Sequence, residues 1–160
     1  MILKTYNIYK VNIAVFTFFL AVFTFENKAI AAQSLTFTPL NDQRVLHQLS
    51  NLSAINEQNS TFEVAHTDLN EDGIEEIVLK DTTNNCAVTK SSCNYHILAK
   101  KSIGEFILLG KIEAKKLLIG QEYTHGVRNI LIYDNDENDY KYKIYAWNAL
   151  KAQYNEVDDR

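Results

Sequence analysis

The segment Asp68–Glu76, DLNEDGIEE, crowds oxygen-bearing side chains into one short stretch. With Asp68 as position 1, side-chain oxygens recur at positions 3, 5 and 9, on Asn70, Asp72 and Glu76. Gly73 at position 6 permits a sharp bend, and the carbonyl of Ile74 at position 7 can turn inward. Alternate residues of a tight turn aim at one centre, and a hard cation such as Ca2+ takes about 6–8 oxygens. Asp68, Asp72 and Glu76 repel one another without a cation, a physical reason to expect one. The same residue types also build polar hairpin turns that hold no ion.

An EF-hand needs a bidentate Glu at position 12. That position is Leu79, and Ile77, Val78 and Leu79 run straight into a strand pattern. A nine-residue loop leading into a strand resembles the D-x-[DN]-x-D-G-x-x-[DE] element of FG-GAP/VCBS-like proteins, the repeats of integrin α-chain propellers. The resemblance implies Ca2+ ligands at Asp68, Asn70, Asp72, Ile74 (through its carbonyl) and Glu76. One such element is present, so a propeller is excluded. The order of this loop, a close cysteine pair, THGVRNILIY and YKYKIYAW is similar to a group of small bacterial secreted proteins, many of them lipoproteins. The chain departs from that group in having Asn129 where Asp is usual and no lipid-bearing cysteine. DNDEND, Asp134–Asp139, is a second acidic turn, but it has no glycine at position 6 and Tyr142 at position 9.

Cys86 and Cys93 are the two cysteines, separated by six residues, a spacing that suits a disulfide across a hairpin. A redox pair would favour C-x-x-C, and a zinc site needs further ligands nearby. Tyr140, Tyr142, Tyr145 and Trp147 make YKYKIYAW a possible binding face for a glycan or an acidic partner, or else an ordinary edge strand. His66 or His125 could act as a base, and Ser91 or Ser92 as a nucleophile, in a small envelope hydrolase. No G-x-S-x-G, H-E-x-x-H or Walker-type loop accompanies them, so no catalytic residue is assigned.

The elements that must position these residues follow from periodicity. Val45, Leu46, Leu49 and Leu52 recur at helical spacing after Asn41 and Asp42, which predicts one amphipathic helix over 42–56. Beyond it, TFEVAH, IEEIVLK, YHILAK, EFILLGKI, RNILIYD and YKYKIYAW read as short strands with short polar connections, which favours antiparallel hairpins. AKKLL, Ala114–Leu118, fits either a helical turn or a strand. The predicted fold class is α+β, one N-terminal amphipathic helix covering a face of an antiparallel β-meander.

Residues 1–31 read as a secretory signal. Lys4 and Lys10 precede the apolar run Val11–Phe25, and Ala29, Ala31 and Ala32 follow in an A-x-A arrangement. Glu26 and Lys28 end the run short of the roughly 20 residues that cross a bilayer, so no stable membrane anchor is expected. Cleavage near Ala31/Ala32 leaves residues 32–160 as a single domain in the periplasm or outside the cell. The 160-residue chain has a formal net charge of −4, with 46% hydrophobic and 22% charged residues. Losing three lysines and one glutamate with the leader brings that charge to −6, which disfavours nucleic acid and anionic membranes. The expected function is a non-catalytic, calcium-stabilised binding module for a protein or envelope component, with the net negative charge favouring a basic partner. An inhibitor or immunity protein against a cell-wall hydrolase is the sharper alternative. Asn51 and Asn59 lie in N-x-[ST] sequons, relevant in a glycosylating pathway.

Overall fold

From Ala32 onward, short apolar runs bounded by polar turns fold into strands in the computed structural model, which describes residues 32–50, 52, 61–83, 86, 92–101, 105–134 and 142–157. The elements are β1 (Ala32–Ser34), β2 (Thr38–Pro39), helix α1 (Gln43–Ser50), β3 (Phe62–Thr67), β4 (Glu76–Asp81) and β5 (Cys93–Lys100). There follow β6 (Phe106–Ala114), β7 (Lys116–Thr124), β8 (Val127–Tyr133), β9 (Lys143–Asn148) and β10 (Gln153–Val157). Residues 1–31, expected as a leader, residues 53–56 of the predicted helix, both sequon asparagines, Ser91, Tyr140 and residues 135–139 of DNDEND lie outside the described residues.

Two five-stranded antiparallel sheets result. The first has the order β2-β3-β4-β5-β6 and the second β1-β7-β8-β9-β10. The architecture is therefore mostly β, which overturns the expected α+β class with a single meander. The helix is two turns, Gln43–Ser50, with Leu46 N–H donating to the Asp42 carbonyl at 3.1 Å in its first turn. The physical reason lies in the strands. Ile77-Val78-Leu79, His96-Ile97-Leu98 and Leu117-Leu118-Ile119 are continuous buried runs, not alternating ones. Strands apolar on both faces need cover on both, and one short helix covers a single face.

The second sheet supplies the other cover. Val78, Tyr95, Ile97 and Ile112 of the first sheet pack against Ile119, Ile130, Ile132 and Tyr154 of the second. On the opposite face of the first sheet, Phe62, Val64, Ile77, Leu79, Leu98 and Phe106 pack beneath α1, whose Leu49 is fully buried. The chain changes sheet abruptly at Lys115, the one residue between β6 and β7, so AKKLL is a strand–corner–strand. The two sheets also meet at a seam between edge strands β6 and β10. There a methyl added at Gly110 would lie 3.3 Å from Tyr154 Cβ, so glycine lets the strands approach a few tenths of an ångström closer than a side chain would.

Cys86 and Cys93 form a disulfide with Cα atoms 5.3 Å apart, both buried in the inter-sheet core. This bridge brackets the connection from β4 to β5. Among the described residues no helix is long and apolar enough to cross a membrane.

Candidate functional site

DLNEDG forms the connection between β3 and β4 and is shaped by its own side chains. Gly73 and Glu71 both adopt left-handed backbone, with φ of 82° and 58°. Glycine carries this conformation without cost, whereas Glu71 takes it under constraint from its neighbours. Gly73 N–H donates to Asp68 Oδ2 at 3.0 Å, Ile74 N–H to Asp72 Oδ1 at 2.7 Å, and Asp72 N–H to Asn70 Oδ1 at 3.1 Å. Asn70 Nδ2 donates to Asp72 Oδ2 at 2.9 Å, and Leu69 N–H to Glu76 Oε2 at 2.8 Å.

The loop is also tied to the second sheet. Arg128 N–H donates to the Leu69 carbonyl at 2.8 Å, and the Tyr123 hydroxyl donates to Glu71. Arg128 reaches Tyr123 and Gln33 with its guanidinium, and its carbonyl accepts the Tyr154 hydroxyl at 2.9 Å. Leu69 is 1% exposed and belongs to the inter-sheet core, so the loop is anchored by burial as well.

Two polar features stand out in this turn. Asp68 Oδ1 is buried and has no hydrogen-bond partner. Glu76 is 6% exposed, and its carboxyl is pushed above the usual range, first by burial and then by the negative charge of Asp72 and Asp68, against the Leu69 N–H that favours the anion. Burial and the Glu76 charge likewise raise the Tyr154 phenol.

Among the described residues no three His, Cys, Asp or Glu side chains converge as a ready metal cage. Asp72 explains why, since both of its oxygens are turned onto donors of the loop itself. The donor set still fits a hard cation in kind. It is all oxygen, it includes an unpartnered buried carboxylate oxygen, and it is already curled by left-handed backbone. Closing on an ion would require Asn70 and Asp72 to give up their mutual hydrogen bonds.

The loop stands between two cavities. An open groove of about 920 Å3 is walled by Asp68, Gly73, Ile74 and Glu75 on the loop, with α1 and the β5–β6 end opposite. Behind the loop, a smaller cavity of about 260 Å3 is lined by Leu69, Glu76, Leu109, Val127 and Trp147. Sequence reasoning missed the groove. Asp42, His66, Lys100 and Phe106 come from four separate elements or their flanks, and no local pattern draws them together.

The remaining candidates scatter. Tyr142 stacks on Tyr133 with ring centroids 5.8 Å apart, before β9 begins. Tyr145 and Trp147 lie on the inner side and pack against the inter-sheet core, Trp147 edge-on to Tyr154 at 5.7 Å. These aromatic residues therefore do not gather on one exposed face. His125 has φ of 52° and, with Gly126 at 81°, makes the two-residue turn joining β7 to β8. His66 is half-exposed on β3, its Nδ1 3.9 Å from Glu75 Oε2. Asn129 is buried and accepts the Thr124 hydroxyl at 2.8 Å. Comparison of the chain with known protein families, with curated proteins and with solved structures finds no match.

Proposed function

We propose that the protein is a secreted or periplasmic, non-catalytic binding module whose β3–β4 loop is stabilised by Ca2+. The carrying observation is Asp68 Oδ1, a buried carboxylate oxygen without a partner in a turn that offers further oxygens from Asn70, Asp72 and Glu76. An uncompensated buried acceptor costs about 1–3 kcal/mol, and a bound cation would remove that cost. The Glu76 carboxyl, held up first by burial and then by the negative charge of Asp72 and Asp68, is consistent with the same reading. When bound, the ion would cancel repulsion among the three carboxylates; this chain's residues would supply the oxygens and fix the loop to β8. The disulfide supports an oxidising compartment. A binding role is supported by the groove at the loop, and the absence of a known catalytic signature in the sequence agrees with it.

Thermal unfolding of the disulfide-intact protein in millimolar Ca2+ and in chelator tests the ion. Ca2+ at ten times its Kd should add about 1.4 kcal/mol to stability and raise the midpoint by several degrees. Asp72→Ala should abolish the shift. Equal midpoints in Ca2+ and chelator would remove Ca2+ from the account.

A further inference from the structure

We propose that the cavity behind the β3–β4 loop is a small-molecule site whose ligand is uncharged and built on two fused aromatic rings. The inference goes beyond the binding module proposed above and does not rest on Ca2+. The cavity, about 260 Å3, lies between the two sheets at the end that carries the β3–β4, β7–β8 and β9–β10 connections. Ala99 of β5 with Ile107 and Leu109 of β6 forms one wall, Val127 of β8 and Trp147 of β9 the other, and Ala152 borders the β9–β10 side. Ala99 and Ile107 are cross-strand partners, separated by the Lys100–Phe106 pair from the Lys101–Glu105 hydrogen bond, so this wall is paired strand. Among the described lining residues the polar ones are Asn70 and Glu76. Both are committed to the loop: Glu76 Oε2 accepts Leu69 N–H at 2.8 Å, and Asn70 both donates to Asp72 and accepts from it.

Protein interiors hold few voids larger than one water, so a space of this size is no ordinary packing gap. At about 30 Å3 per molecule it would take roughly eight waters, each needing about 2–4 polar partners. Walls of Ala, Val, Leu, Ile and Trp side chains give water little to bond, and an apolar guest that displaces such water gains affinity. A cavity of about 150 Å3 accepts one benzene ring, so this one is sized for two fused rings and not for a long acyl chain. Trp147 favours an aromatic guest, because offset or edge-on ring pairs bind more tightly than area burial alone accounts for. Charge is selected against in both signs. An anion meets Glu76, whereas a cation finds that carboxylate already accepting Leu69 N–H and must leave its water among apolar side chains.

Trp147 is the single tryptophan of the chain, so one indole N–H resonance reports on this cavity. The test uses the intact, disulfide-bonded protein in chelator and four matched probes: naphthylmethanol, naphthoate, naphthylmethylammonium and the saturated decalin-methanol. Naphthylmethanol should shift the indole N–H and the amides of Ala99, Ile107, Leu109, Val127 and Ala152, and saturate in calorimetry below millimolar probe. The two charged probes should bind at least about tenfold more weakly, and the saturated one about threefold more weakly. Ala99→Leu fills the space and should weaken naphthylmethanol at least about tenfold, with the urea midpoint unchanged or raised. Ile107→Gln, at a side chain already 47% exposed, keeps the fold and should weaken binding about threefold, so the result does not hang on Ala99→Leu alone. An unmoved indole resonance at millimolar naphthylmethanol, shifts centred elsewhere, equal or tighter binding of a charged or saturated probe, or indifference to both substitutions overturns the proposal. The calcium-dependent midpoint is read on the same protein without probe, so failure of the ion and failure of the cavity are told apart.

Discussion

The two apolar clusters on either face of the β2–β6 sheet differ in how they are closed. Between the sheets, the cluster has β-structure on both sides, a disulfide within it, and Tyr154 bonded to the Arg128 carbonyl. On the other face, the cluster is roofed by two helical turns and lies beside the open groove, which shares Val45, Ile77 and Phe106 with it. One face is a frame, the other a covered floor with an entrance. The candidate loop belongs to both, since Leu69 is buried in the first cluster and Ile77, just past the loop, in the second. The second face, roofed by two helical turns, resists local adjustment less than the first, which is closed between two sheets.

Substitutions that rank the two clusters test this contrast. Tyr154→Ala removes a buried ring from the β6–β10 seam and leaves the Arg128 carbonyl without its phenol, so a loss of about 4 kcal/mol is expected by urea denaturation. Replacing both cysteines by alanine opens a short loop in the same cluster and should cost about 2.5 kcal/mol. Leu49→Ala, beneath the helix, should cost about 2 kcal/mol, because a two-turn roof can settle onto the vacated space. Should Leu49→Ala prove more damaging than Tyr154→Ala, the distinction between frame and floor collapses.

The smallest effect concerns His96, which pairs in register with Leu79 and Lys111 on the helix-covered face. The imidazole is 3% exposed and its Nδ1 has no partner. Burial first, then Lys111, lowers its pKa below 6.5, while Asp81 opposes them. Above pH 6.5 both folded and unfolded chains are neutral there, and the stability is complete. Below it the unfolded chain takes up a proton that the folded one resists, so stability falls until the lowered folded pKa is passed. A urea midpoint that declines below pH 6.5, and a flatter profile in His96→Leu, would place this group among the causes of acid sensitivity. Identical profiles would exclude it.

Much of the strand content was legible because alternation and β-branched runs are local, as in TFEVAH and RNILIYD. Sheet membership was not. Lys115 divides β6 from β7 with no turn signal, and β1 is only Ala-Gln-Ser, which pairs with β7 across most of the chain. The overlooked sign was the doubly apolar character of IVL, HIL and LLI, which demanded a second cover. At the candidate site, DLNEDG announced a tight oxygen-rich turn through spacing alone. The groove did not announce itself, because Asp42, His66 and Lys100 meet only after two strands and a helix have folded around them.

The close approach of Gly110 to Tyr154 also bears on how the chain comes into being. Synthesis runs from the N-terminus, so the strands of the first sheet are all available once residue 114 has emerged. Their inner face must wait for β7 to β10, and its last stopper arrives only with residue 154. A chain halted before that point carries a finished sheet with one oily side uncovered, the kind of surface that sticks to its own copies or is held by a chaperone. The seam thus makes the covering of the first sheet's inner face depend on β10, the strand that carries Tyr154.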